Sequence, residues 1–321
     1  MDAATGPAMT HRGTSGLSAV IARSEATKQS SFLRVGKLDC FTSLAMTEES
    51  MADPLLPGPL WMVGCGHMGS AMLAGWLAAG VDPAQLTVIR PSGASVGHEV
   101  RVLTDYPEDE VPAIVVLAMK PYQLDMVALR LAPALDPRTI LISILAGVEA
   151  ASLRERFAAP DTIVKAMPNL PVALGKGVVG LYAEGGDPAD KALASGLMAA
   201  LGHAEWFEDE AAFQFAGVLS GAGPAFLFRF IEALGRGAAA LGLPEDQALR
   251  LATAMVAGAG ALAASSNDSP AELARKVASP NGTTEAGLKV LDADRALFAL
   301  VEATLAAARA RSLEMAAEAR R

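Results

Sequence analysis

LWMVGCGHMGSAMLAGWLAAG, residues 60–80, decides the fold. The apolar run 60–63 reads as a buried strand, and SAMLAGWLAAG has helical spacing. Between them GCGHMG sets Gly64, Gly66 and Gly69 in the pattern G-x-G-x-x-G, with His67 and Met68 in the same loop. The first glycine permits a tight turn, the second leaves room for a pyrophosphate, and the third lets helix and strand pack closely. The helix N-terminus, with its unpaired N–H groups, then faces the phosphates. In a chain with 30 glycines the pattern alone is a weak signal. Strand, glycines and helix occur in the required order, however, and that makes a dinucleotide site the better reading than a structural turn.

The next apolar run, LTVI at 86–89, ends at Arg90, where an NAD-specific site would place an acid for the ribose hydroxyls. Arg90 and Ser92 offer instead a cation and a hydroxyl suited to a 2′-phosphate, against the plainer reading of a solvated strand-end arginine. NADPH is therefore expected over NADH. Further apolar runs at 114–118, 140–144, 162–166 and 178–182, with a last one at 204–207, alternate with helical or loop segments. The alternation predicts a parallel sheet wrapped by helices. After the acidic turn at 208–210 strand signals stop, and Ala/Leu/Gly-rich helical segments run to the end.

Composition narrows the partners. The 321 residues are 52% hydrophobic and carry a net charge of −9, so no basic stripe exists to bind nucleic acid or an anionic membrane. A small-molecule substrate fits better. The run 251–264 is too short to cross a bilayer and reads as a tightly packed core helix. Cys40 and Cys65 are the only cysteines, which provide neither a disulfide framework nor a zinc site; no metal is expected, and a reducing cytoplasm fits.

Residues 1–57 differ in texture, with many hydroxyl and basic residues and no sustained apolar period. VIARSEATKQSS followed by KLDCFTSLAMT resembles the translation product of an interspersed bacterial DNA repeat, which would make Met51 the natural start. An ordinary flexible tail is the equal alternative.

Several blocks follow one another as in one family: MVGCGHMGSAMLAGWLAAG, VVLAMKPYQL, ISILAGV, VKAMPNLPVALGKGV, LSGAGPAFLFRFIEAL and VASPNGTTEAGL. Over residues 60–292 the chain resembles pyrroline-5-carboxylate reductase, the last enzyme of proline biosynthesis. The resemblance implies an α/β Rossmann nucleotide-binding domain (58–209) followed by an all-α dimerisation domain (210–321), and NAD(P)H-dependent reduction of 1-pyrroline-5-carboxylate to L-proline. It also implies a homodimer with interlocked helical domains, each active site shared between one subunit's nucleotide domain and its partner's helices, and assembly of dimers into decamers. By position, Ala118, Met119, Lys120, Pro121, Ala146 and Gly147 should border the cofactor, and residues 167–169, including Asn169, should lie near the nicotinamide. The chain departs from the family at Leu170, Ala222 and Phe226, at Gly217 where threonine is common, at Lys165 where arginine is common, and at Asn281 where SPGGTT has glycine. The stretch 90–114 is short, as though a helix beside the adenosine had been trimmed.

Reduction of a protonated C=N needs positioning more than strong acid or base. SPNGTT, 279–284, sits between helical runs where backbone N–H groups and small hydroxyls are exposed. With the resemblance, the N–H groups around Gly282, Thr283 and Thr284 and the Ser279 hydroxyl are expected to bind the substrate carboxylate, and Thr284 to hydrogen-bond the ring nitrogen. Without it the stretch is an ordinary helix cap. LSGAGPAF, 219–226, reads as a helix start, a close backbone approach to the nicotinamide, or both. A hydroxy-acid dehydrogenase would need a basic residue in the second domain. The histidines are His11, His67, His98 and His203, and no lysine lies between Lys191 and Lys276. A non-catalytic nucleotide sensor and a reductase of a six-membered cyclic imine acid are the remaining alternatives.

Overall fold

The structure, a computed structural model, describes residues 56–319. Residues 1–55, which include Met51 and most of the hydroxyl-rich and basic N-terminal stretch, lie outside the described residues. The chain runs β1 (Leu60–Val63), α1 (His67–Ala78), β2 (Leu86–Ile89), β3 (Arg101–Leu103), β4 (Ile114–Leu117), α2 (Leu124–Leu131), β5 (Ile140–Ser143), α3 (Ala150–Arg156), β6 (Ile163–Pro168), β7 (Gly177–Tyr182), α4 (Pro188–Ala199) and β8 (Gly202–Trp206). Five helices follow: α5 (Glu210–Ala240), α6 (Glu245–Ser265), α7 (Pro270–Val277), α8 (Thr283–Asp292) and α9 (Ala296–Ala319).

All eight strands form one sheet in the order β3-β2-β1-β4-β5-β6-β7-β8. In β1 side chains alternate between its faces. Leu60 and Met62 enter a core with Met72 and Trp76 of α1 and Leu197 of α4, while Trp61 and Val63 enter another with Leu124 and Leu131 of α2 and Leu153 of α3. Both faces are covered, which is why β1, β2, β4 and β5 read as unbroken apolar runs.

The sheet is not wholly parallel: β7 runs antiparallel to β6. Only residues 169–176 join them, too few for a parallel crossover, which takes about a dozen or more. The strand β3 has no apolar run to announce it, because it sits at the sheet edge with Arg101 exposed. Between β2 and β3 the chain is loop and turn without a helix.

Two expectations about the helices are corrected. LSGAGPAF does not start a helix; it lies inside α5, which continues through Pro224. Proline has no N–H, so the carbonyl four residues back, at Ser220, loses its helical donor. Asn169 supplies one: its Nδ2 donates to Ser220 O at 3.0 Å, and its Oδ1 accepts the Val178 N–H at 2.8 Å.

The run 251–264 is not a core helix within one chain. It is part of α6, where only Ala248 and Ala252 are buried. The helices α5 and α6 pack together at Gly235, where an added Cβ would stand 3.2 Å from Leu249 Cα. Elsewhere their apolar side chains, with those of α9, are exposed: Phe228 at 60%, Leu251 at 53% and Leu300 at 66%. By length and composition α5 and α6 are also apolar enough to cross a membrane. However, α5 carries Arg229, Glu232 and Arg236, joined by ion pairs of 3.0 and 2.8 Å, which suits a helix in water or against protein.

Candidate functional site

A cleft of about 970 Å³ opens where β1, β2, β4 and β5 end. Gly64 makes the turn out of β1 at φ +80, donating its N–H to Ile89 O at 2.8 Å. A Cβ there would lie 2.8 Å from the backbone of Met119, so this turn admits no side chain. Gly66 caps α1 with no side-chain hydrogen bond, and a Cβ on it would meet nothing within 4 Å. The first intrahelical bond runs from Ser70 N to Gly66 O at 2.9 Å. The N–H groups of His67, Met68 and Gly69 precede it and have no helical acceptor. Behind them Gly69 packs on β1, its Cβ position 3.0 Å from Met62 Sδ.

The structure brings Gly64, Gly66, His67, Met68, Gly69, Arg90, Ser92, Ala118, Met119, Lys120, Pro121, Ala146 and Gly147 together in this cleft. On its β2 side it adds residues that the sequence reading did not select: Thr104, Tyr106 and Arg130. Burial pushes the Tyr106 phenol up to about 12, with Arg130 opposing the shift and Asp105 adding to it. Burial also raises the Cys65 thiol, partly offset by the Arg90 guanidinium.

The charged lining is one-sided. Arg90, Lys120, Arg130 and Lys165 line the cleft, and no aspartate or glutamate does. Arg130 pairs with Asp105 at 2.7 Å, and Lys165 with Glu210. Arg90 and Lys120 form no ion pair among the described residues, leaving two uncompensated cations beside an uncapped helix N-terminus. That donor set fits a phosphorylated dinucleotide.

On the β6 side the lining comes from Lys165, Ala166, Met167 and Pro168, then Phe213, Gln214, Gly217 and Val218 of α5, with Ser312 of α9. Lys165 is 5% exposed and tied down: it bonds Glu210, whose Oε1 also accepts Ala150 N at 3.0 Å, and its ammonium lies 5.1 Å from the Phe213 ring centroid. Asn169 is not part of the cleft lining. Its Nδ2 donates to Ser220 O and its Oδ1 accepts the Val178 N–H, which ties the side chain to α5 and β7.

Ser279, Gly282, Thr283 and Thr284 do not line the cleft of their own chain either. Their turn is closed by Gly282 N–H donating to Ser279 O at 3.0 Å, so the Gly282 N–H is already engaged. The helix α8 then begins at Thr283 with no side-chain cap, which leaves the Thr283 and Thr284 N–H groups to an outside acceptor. Asn281 adopts φ +58, a conformation that glycine and asparagine tolerate best, and this explains how asparagine can stand there. Its N–H donates to Glu285, whose carboxyl is held below the usual range by Lys289 and by that N–H.

A doubly wound sheet with an uncapped glycine loop, a basic cleft and an appended helical domain defines a nicotinamide-dinucleotide oxidoreductase. Residues 210–315 match the family model for pyrroline-5-carboxylate reductase dimerisation, and 60–147 match one described as NADP oxidoreductase, coenzyme F420-dependent. The chain is 38% identical over 264 residues to the pyrroline-5-carboxylate reductase of Pseudomonas aeruginosa, covering 79% of this chain and 95% of that one. It is 36% identical to that of Synechocystis over 80% of this chain and 97% of the relative. Among solved structures, the Coxiella burnetii pyrroline-5-carboxylate reductase superposes with a TM-score of 0.74 at 32% identity, covering 80% of this chain and 98% of that one. The Plasmodium falciparum pyrroline carboxylate reductase, solved with NADP bound, gives 0.69 at 25% identity, covering 81% and 98%. The chain belongs to the pyrroline-5-carboxylate reductase family of NAD(P)H-dependent oxidoreductases.

Proposed function

We propose that this chain reduces 1-pyrroline-5-carboxylate to L-proline with NADPH as the preferred reductant. The observation that carries the reading is the cleft's charge: of its four basic side chains Arg90 and Lys120 make no ion pair among the described residues, and they share the cleft with a helix N-terminus that no side chain caps. The open N–H groups of His67, Met68 and Gly69 hold the pyrophosphate, while Gly64 shapes the turn and Gly66 leaves room for the phosphates. Arg90, which makes no ion pair among the described residues, and Ser92 take the 2′-phosphate, while Lys120 faces the same anion. When bound, the reduced nicotinamide supplies the hydride.

The chain's own work is then to hold the ring carbon within about 3–3.5 Å of the hydride donor and to fix the carboxylate. The open N–H groups of Thr283 and Thr284, with the Ser279 hydroxyl, bind that carboxylate, and the Thr284 hydroxyl orients the ring nitrogen. Since these groups stand outside the cleft of their own chain, they serve the cleft of a partner subunit. The exposed apolar faces of α5, α6 and α9 support the same arrangement: they are buried when two helical domains interlock, and further association gives larger rings of dimers. The enzyme works in the cytoplasm.

The test is a set of initial rates of NADPH and NADH oxidation with five- and six-membered cyclic imine carboxylates. A charged hydrogen bond to the 2′-phosphate predicts a kcat/KM at least about tenfold higher with NADPH. Absence of oxidation with either ring would rule the reading out.

A further inference from the structure

Met167 of β6 and Gly217 of α5 meet at the β6 side of the cleft, and both line it. A Cβ built on Gly217 would stand 1.6 Å from Met167 Sδ, 2.7 Å from its Cε and 3.2 Å from its Cγ. The three nearest atoms all belong to this one side chain. The thioether therefore fills the volume in which a side chain at 217 would begin.

The Met167 backbone cannot yield, because it is paired across the β6–β7 ladder with Gly180 and flanked by the buried Ala166 and Pro168. Its side chain can, having three rotatable bonds. On α5 the neighbouring space is filled by Phe213, 1% exposed, and Val218, 8% exposed. A thioether evicted from the Gly217 seat has the cleft to move into.

We propose that Gly217 is a positioning residue that seats the Met167 thioether clear of the reaction space, and that the seated Met167 is the wall that sets which imine ring is accepted. This rests on the reading of the cleft as an imine-reduction site. The ring's polar groups, carboxylate and nitrogen, are met by Ser279, Thr283 and Thr284 of the partner; its methylenes need an apolar wall, and Met167 and Val218 provide one. The family's common threonine at 217 is incompatible with the thioether in this place, so this chain exchanges a hydroxyl for a sulfur-lined wall.

Kinetics of three variants test the proposal. Gly217→Ala adds only a methyl group, yet pushes the thioether into the cleft; one misplaced methyl-sized group predicts a KM for the five-membered imine raised about tenfold. The Kd for NADPH, read by fluorescence, should stay within about twofold, because the phosphate and 2′-phosphate contacts lie on the far side of the sheet order. M167A/G217A should recover most of the lost KM, since the seat is then empty for the new methyl group. Met167→Ala alone should shift the six- to five-membered kcat/KM ratio toward the larger ring by about tenfold, the scale of one or two methylenes in an apolar pocket. A KM in Gly217→Ala equal to that of the wild type, or a defect that persists in M167A/G217A, overturns the seat. Failure of the wild type to reduce either ring overturns the imine-reductase reading and this inference with it, whereas wild-type turnover beside an unchanged Gly217→Ala overturns the inference alone.

Discussion

Replacing Arg90 with alanine should separate the two cofactors. Arg90 leaves β2 at the cleft, half-buried, and makes no ion pair among the described residues. Its charge is felt locally, since it offsets the burial of the Cys65 thiol. A unit charge pair at 4 Å is worth about 4 kcal/mol at an effective dielectric of about 20, and charged hydrogen bonds net about 1.5–3 kcal/mol. Partial exposure puts Arg90 in the lower part of that range, about 1.5–2.5 kcal/mol, or about 10–70-fold in affinity at 1.36 kcal/mol per decade. In steady-state kinetics Arg90→Ala should raise the KM for NADPH by that factor and leave the KM for NADH within about twofold, because NADH lacks the phosphate. The NADPH effect should shrink as salt is added. Thiol titration gives a second reading: without the guanidinium the Cys65 thiolate forms only at higher pH. Equal loss with both cofactors would place Arg90 on a shared part of the dinucleotide, and no loss with either would refute its assignment to the 2′-phosphate.

Asn169→Ala removes both ties to Ser220 and Val178 from a residue 6% exposed, and should lower unfolding stability by about 2–4 kcal/mol in chemical denaturation. Adding Pro224→Ala should return part of it, because an N–H is restored to Ser220 O. Tyr106 gives an alkaline limb: with its phenol raised to about 12 from the ordinary value near 10, the stability from the buried neutral form is present below pH 10 and lost as pH rises through 12. Denaturation midpoints of Tyr106→Phe should lack that limb. Thr284→Ala and Gly64→Val should each abolish most activity as homodimers. Random mixing of the two should restore about one quarter of wild-type activity, since half the dimers then contain one intact shared site. No recovery on mixing would place the substrate turn and the cleft in the same subunit.

The glycine loop was legible because strand, turn and helix each impose a local pattern, and because Gly64 occupies a left-handed turn that admits no side chain. The antiparallel direction of β7 was not legible, because the apolar run itself carries no direction and the shortness of the join 169–176 appears only once the strand ends are known. The strand β3 was hidden because its register is set by β2 rather than by its own side chains, and with it went Thr104 and Tyr106. Pro224 misled as a helix start; its consequence, a freed carbonyl at Ser220, appears only when Asn169 is brought to it from outside the helix. The separation of 279–284 from its own cleft is a matter of tertiary arrangement, and the pattern of hydroxyls and glycine in that turn is the same whichever subunit it serves.

Hydride transfer from NADPH to the imine carbon can be followed with an isotope. Incubation with NADPH carrying deuterium at both C4 positions and with 1-pyrroline-5-carboxylate, followed by mass spectrometry, follows that transfer. L-proline should carry one deuterium on the carbon of the former C=N bond and form in step with NADP⁺. NADPH bound but not consumed, or oxidised without labelled proline, would contradict it.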